Sequence, residues 1–155
     1  MTEINKTLAV DFDATIAHFD HYRGLKHIGA PLEENIKILR WLHSQGVRIL
    51  IHSCRMNGQW DRVEYERVKA NLESWLREHD VPYDHICGTE DGKPFAHAYW
   101  DDRAVPIRPN NTSPIYAQIA LNDIMSLLER SDIGSNDGPL EEVNTYDLDC
   151  DRPHN

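Results

Sequence analysis

Apolar residues in this chain come in short solid runs separated by longer stretches with helical spacing. Thr7-Leu-Ala-Val10 is a compact apolar run that stops at Asp11, the pattern of a buried strand. Residues 14–30 are rich in His and Gly and predict a loop or flap. From Pro31 a helical pattern sets Ile36, Leu39 and Leu42 on one face, and Gly46 supplies its C-terminal stop. Val47 to His52 is a second strand, ending at Ser53. Trp60 to His79 is the longest helix, with Val68, Leu72, Trp75 and Leu76 as its apolar stripe. Asp84–Cys87 predicts a third strand and Ala96–Trp100 a fourth that ends at Asp101-Asp102. Ala104–Ile107 predicts a fifth, and Pro114–Arg130 a last amphipathic helix carrying Ile115, Ile119, Ile124 and Leu127. From Ser131 onward periodicity vanishes while Gly, Asn, Asp and Pro accumulate, the composition of an acidic tail without fixed structure. Strands alternating with helices predict the α/β class: an open, Rossmann-like, mostly parallel sheet of about five strands with helices on both faces.

In such sheets ligands bind beyond the carboxyl ends of the strands. Asp11 and Asp13, Ser53, and Asp101 with Asp102 all come directly after predicted strand ends. Three strands therefore aim polar termini at one edge.

Composition adds bounds. A chain of 155 residues suits one domain with a real core. No apolar run approaches the roughly 20 residues of a membrane helix, so no membrane partner is expected. Met1–Thr7 has no basic region leading into a long apolar stretch, and the three cysteines, Cys54, Cys87 and Cys150, are too few and too scattered for a disulfide framework or a zinc site. A reducing cytoplasm is the expected compartment. The net charge of −10 is uneven: residues 131–155 hold seven acids and one arginine, net −6, which leaves 19 acids and 15 bases before them. An acidic surface opposes sequence-independent binding to duplex nucleic acid, whose affinity comes largely from cations on phosphates.

Asp11-Phe-Asp13 sets two carboxylates two residues apart, and extended backbone points both the same way. Asp101-Asp102 adds two more at the same edge. Four such acids repel one another unless a cation sits among them, and hard oxygen ligands suit magnesium. Ser53 offers a hydroxyl and Lys93 a cation, both suited to the oxygens of a phosphoryl group. Each feature alone has a plainer account. An isolated Asp-x-Asp is usually a solvated turn, as Asp147, Asp149 and Asp151 illustrate. Lys93 could face solvent, Ser53 could cap the next segment, and Asp101-Asp102 could start a turn. Their joint order at successive strand ends favours chemistry. Arg55 would either bind a second anionic group of a substrate or pair with a nearby acid. Cys54 reads as a packed residue, Trp60 and Trp100 as packing aromatics, and His18, His21 and His27 as loop histidines rather than a metal site.

Taken in order, these segments resemble a known family. Asp11-Phe-Asp-Ala-Thr-Ile16 is similar to the first motif of the haloacid dehalogenase superfamily, and Ile49-Leu-Ile-His-Ser53 to the second. Lys93 resembles the third-motif lysine, and Tyr99-Trp-Asp-Asp102 the acidic fourth. The resemblance covers residues 4–107. It implies a covalent two-step mechanism in which Asp11 attacks phosphorus while Asp13 protonates the leaving oxygen and then activates water. It further implies magnesium held by Asp11, the Asp13 backbone carbonyl and Asp101, with Asp102 in support. Ser53 and Lys93 would hold phosphoryl oxygens, and Thr15 and Arg55 would contact substrate. An acid at position 13 is absent from the namesake dehalogenases and points to phosphate chemistry.

Only 17 residues separate Asp13 from Pro31, too few for a cap domain. Residues 1–130 are thus expected to form a capless phosphohydrolase domain with an open site. The expected reaction is magnesium-dependent hydrolysis of a phosphate monoester carried by a small molecule. A nucleotide or polynucleotide 3′-phosphate is the alternative substrate, since an open site admits a bulky leaving group. A non-catalytic module that keeps the fold is the alternative outside enzymology. A phospho-accepting receiver domain is disfavoured by motif order, because the Asp-x-Asp comes first and the adjacent acid pair last. Deleting residues 131–155 should leave turnover and melting temperature nearly unchanged, which thermal denaturation and an activity assay of the truncated chain would check.

Overall fold

The computed structural model describes residues 5–56 and 60–130. The chain runs β1 (Lys6–Val10), α1 (Glu33–Ser44), β2 (Val47–Ile51), α2 (Arg62–Glu78), β3 (His85–Ile86), β4 (Ala98–Trp100) and α3 (Pro114–Leu128), with 3₁₀ turns at Cys54–Met56 and Thr89–Asp91. The strands form one parallel sheet in the order β3-β2-β1-β4. β1 is central: Val10 lies beside Ile51 of β2 and beside Trp100 of β4. The chain winds outward from β1 through β2 to β3, then crosses back to lay β4 on the other flank of β1. The order reverses between β1 and β4, and this switch point is where an open α/β sheet forms its crevice.

Alternation decides which residues enter the core. Val47, Ile49 and Ile51 share one face of β2. They join Ile36 and Leu39 of α1, and Val68, Leu72, Trp75 and Leu76 of α2, in one buried cluster. α1 and α2 present their apolar stripes to the same core, as expected of amphipathic helices. Asp61 caps α2 by accepting the Glu64 N–H at 2.8 Å. That cap explains why the helix starts at Arg62 and not at Trp60. After α1, Gly46 adopts φ +83°, the left-handed turn that lets the chain leave the helix directly into β2. Arg40 of α1 donates to the carbonyls of His79 and Asp80, satisfying the C-terminal end of α2.

Among the described residues the sheet has four strands, not five. Ala104–Ile107 forms no strand. Pro106 has no N–H to give a ladder, and the Ile107 side chain is 78% exposed. α3 forms as expected, yet it buries no residue: Ile115, Ile119, Ile124 and Leu128 all stay exposed. The acidic tail from Ser131 lies outside the described residues. No helix among the described residues is long and apolar enough to cross a membrane.

Leu72, fully buried between α2 and the sheet, provides a test of this core. Leu72→Ala should lower the unfolding free energy by about 2–5 kcal/mol, read from the denaturant midpoint. A loss within about 0.5 kcal/mol, the range of a surface change, would contradict the packing.

Candidate active site at the switch point

The ladder hydrogen bonds continue one step past the strands. Asp11 N–H donates to the Trp100 carbonyl at 2.9 Å, and His52 N–H to that of Val10 at 2.8 Å. The chains beyond β1, β2 and β4 thus leave the sheet side by side. Between the two acids of the first motif, Phe12 is fully buried, its ring edge-on to Trp75 at 4.9 Å. The chain then turns tightly. The N–H groups of Ile16 and Ala17 both donate to the Phe12 carbonyl, and Ala14 takes φ +60°.

Carboxylate oxygens of Asp11, Asp101 and Asp102 lie within 4.8 Å of one another. The three acids meet at the edge of the sheet. The electrostatic signature of that meeting is on Asp11, whose pKa is pushed up from 3.8 to about 7. Burial is the largest cause, and the charges of Asp101, Asp102 and Asp13 add to it, against one opposing hydrogen bond from the Phe12 backbone. Asp101 also accepts the Arg103 N–H at 2.8 Å, so the turn itself fixes one of its oxygens. Asp102 lies 3.8 Å from Arg130, at the end of α3.

Asp13 is held differently. The Arg55 guanidinium donates to both of its oxygens, at 2.6 and 2.7 Å, with the two side chains only 10% and 15% exposed. Of the two roles open to Arg55, the structure shows the acid pair. The same guanidinium donates to the His27 carbonyl at 3.0 Å, tying the 14–30 loop to the site. Beyond Arg55 that loop lines a small recess with room for little more than one water, bordered by His18, Asp20, His21, Arg23 and His27 among others. Arg23 pairs with Asp20 and donates to His21. The rings of His21 and His27 thus serve the loop's own contacts with Arg23.

Ser53 is buried and its hydroxyl accepts the Arg55 N–H at 3.2 Å, capping the Cys54–Met56 turn. Thr15 is 4% exposed, and its hydroxyl has no hydrogen-bond partner among the described residues. Its carbonyl accepts from the Asn35 side chain at 2.7 Å. Lys93 stands apart: it is exposed, with its ammonium 5.0 Å above the Tyr99 ring and no ion pair among the described residues. Trp60 donates its indole N–H to the Arg55 carbonyl at 2.9 Å, a structural role. The anchoring of the 14–30 loop through backbone carbonyls carried no sequence signal, because a carbonyl acceptor has no residue identity.

No family model matches the chain, and no curated protein does. Among solved structures, similarity is found to a conserved protein from Bacteroides thetaiotaomicron, at 21% identity and TM-score 0.46 over 81% of this chain and 98% of that one. An MCSG target from Vibrio cholerae aligns at 29% identity and TM-score 0.43, over 80% of this chain and 97% of that one. A chain of the Pnkp1/Rnl/Hen1 RNA repair complex aligns at 13% identity and TM-score 0.43, over 81% of this chain and 39% of that one.

The raised Asp11 pKa has a stability consequence. Between pH 3.8 and about 7 the native state keeps a proton that the unfolded chain has lost. Asp11 therefore subtracts stability progressively as pH rises through that window, by at most about 4 kcal/mol above it. In chelator, Asp11→Asn should raise the melting temperature more at pH 8 than at pH 4. An equal gain at both values would show that Asp11 ionises normally.

Proposed function

We propose that this chain is a magnesium-dependent phosphohydrolase that cleaves a phosphate monoester through an aspartyl-phosphate on Asp11. The supporting observation is the convergence of Asp11, Asp101 and Asp102, with Asp13 held beside them by Arg55. An all-oxygen donor set and a carboxylate that resists ionising suit a hard divalent cation. The Asp11, Asp101 and Asp102 side chains would hold it, aided by the Asp13 carbonyl. When bound, magnesium supplies positive charge for the carboxylates and for the phosphoryl oxygens.

The chain's own residues divide the chemistry between them. An ionised Asp11 oxygen attacks phosphorus, the bond to the leaving oxygen breaks, and Asp13 delivers its proton to that oxygen. Asp13, now a carboxylate, takes a proton from water. The water oxygen attacks phosphorus and releases Asp11 with inorganic phosphate. Both Asp13 oxygens are engaged by Arg55 in the free protein, so one of these bonds opens when Asp13 carries the proton. Ser53 and Thr15 lie in turns beside the two acids, and their buried hydroxyls would have to become accessible to meet a phosphoryl oxygen. Lys93 would have to leave the Tyr99 ring to join them.

The substrate is a phosphorylated small molecule or a nucleic-acid end, and hydrolysis assays on both classes decide between them. Turnover of neither would favour a binding module. With a cleaved substrate in hand, excess chelator should abolish turnover. Asp13→Asn should cut turnover of an alkyl phosphate by about 10²–10⁴-fold, the usual worth of a general acid. Its loss on nitrophenyl phosphate should be smaller, since that leaving group needs little protonation. Asp101→Asn should hurt both substrates alike and raise the magnesium requirement. Equal Asp13→Asn losses on the two substrates, under conditions where the first step limits the rate, would remove the leaving-group role.

A further inference from the structure

We propose that His85, Cys87 and Asp91 form a second metal site, selective for a divalent transition ion of the zinc class. It lies at the edge strand β3, separated from β1 by β2, so about 10 Å of sheet divides the two sites laterally.

The local sequence builds this site in a few residues. Ile86 lies beside Ile51 and turns into the core, so alternation sends His85 and Cys87 to the other face together. Gly88 then starts the Thr89–Asp91 turn, which brings Asp91 back over the strand end. The Asp91 carboxylate accepts the Gly88 N–H at 2.7 Å and lies 2.9 Å from His85 Nε2. A side chain at position 88 would collide with the Tyr65 hydroxyl, 2.0 Å from where a Cβ would stand. A larger residue there would have to displace the Tyr65 side chain.

One donor atom from each of the three residues lies within 4.8 Å of the others. Local hydrogen bonds account for His85 and Asp91 but not for Cys87. That residue is 3% exposed, and its thiol takes part in no hydrogen bond among the described residues. A buried sulfur without a partner, facing an imidazole and a carboxylate that reach solvent, is a donor at the floor of an open mouth. Zinc–ligand bonds of about 2.0–2.3 Å set tetrahedral ligands roughly 3.3–3.8 Å apart. Small side-chain movements would thus close the set on an ion, with water at the fourth position. Sulfur, nitrogen and oxygen together suit zinc or cobalt, whereas the oxygen-only set at the switch point suits magnesium. Bound there, the ion would clip a two-residue edge strand to the turn beyond it.

The test is a cobalt(II) titration of the full-length protein with magnesium present, read by visible absorption and by the near-ultraviolet thiolate-to-cobalt band. The expected result is a tetrahedral spectrum with that band, displaced by zinc. The band should be lost in Cys87→Ser and kept in Cys54→Ser, Cys150→Ser and Asp11→Asn. His85→Ala and Asp91→Asn, both on the exposed side, should weaken cobalt binding by about a hundredfold, the upper end of what losing even an outer-shell partner costs. Absence of the band in the native protein, or its persistence in Cys87→Ser, would overturn the site. Should Cys87→Ser not fold, unchanged affinity in both His85→Ala and Asp91→Asn would overturn it equally.

Discussion

The burial of Phe12 is the constraint on which the site depends. Its ring sits in the core against Trp75, and the residues on either side of it are acids. Driving a phenylalanine inward is worth about 2–3 kcal/mol, and alternation then forces Asp11 and Asp13 outward on the same side. Val10 repeats the anchor one pleat earlier. The hydrophobic core thus sets the direction of both carboxylates, and Arg55 then fixes Asp13. β1 can impose this because β2 and β4 flank it and leave it no free edge.

The two acids meet different fates a few ångströms apart. Asp11 faces Asp101 and Asp102, and burial with like charge makes it hard to ionise. Asp13 faces the fork of Arg55, whose two parallel bonds fix both its oxygens. Arg55 reaches there because Ser53 starts a 3₁₀ turn at the end of β2 and aims the next residues back toward β1. The hydroxyl that caps the turn and the arginine that the turn projects are one local device. It also secures the 14–30 loop, through the His27 carbonyl, without any inserted domain.

Local pattern alone was enough to read much of the fold in the sequence. The runs ending at Asp11 and Ser53 read as strands and are strands, and α2 shows the stripe that Val68, Leu72, Trp75 and Leu76 predict. Strand ends on one edge foretold that Asp11, Asp101 and Asp102 would meet. The failures need tertiary information. Ala104–Ile107 has the apolar content of a strand, but Pro106 and the lack of a partner leave it outside the sheet, with Ile107 exposed. The spacing of α3 is amphipathic, yet spacing does not say whether a surface exists to receive it. Arg55 had two open roles because its partner lies 42 residues away. Scattered cysteines argued against a zinc site, and the cluster of His85, Cys87 and Asp91 gave no sequence signal because Asp91 joins it only through the turn at Gly88.

Charge balance gives the cation a role before any chemistry. Four carboxylates gather at the switch point, and the arginines paired with them are Arg55 on Asp13 and Arg130, 3.8 Å from Asp102. With all four acids ionised, these six groups carry an excess of two negative charges where a phosphate monoester, itself carrying about −1.5 to −2, would have to settle. Two like charges about 4 Å apart cost about 4 kcal/mol at the effective dielectric of a protein surface, comparable to the whole binding energy of a millimolar ligand. Protonating Asp11 would relieve part of this, but it would also remove the lone pair that attacks phosphorus. On the proposed reading, a divalent ion neutralises the site and leaves Asp11 ionised. On the proposed mechanism, then, substrate binding and nucleophile activation depend on the same cation, and a chain that could not hold it would lose both together.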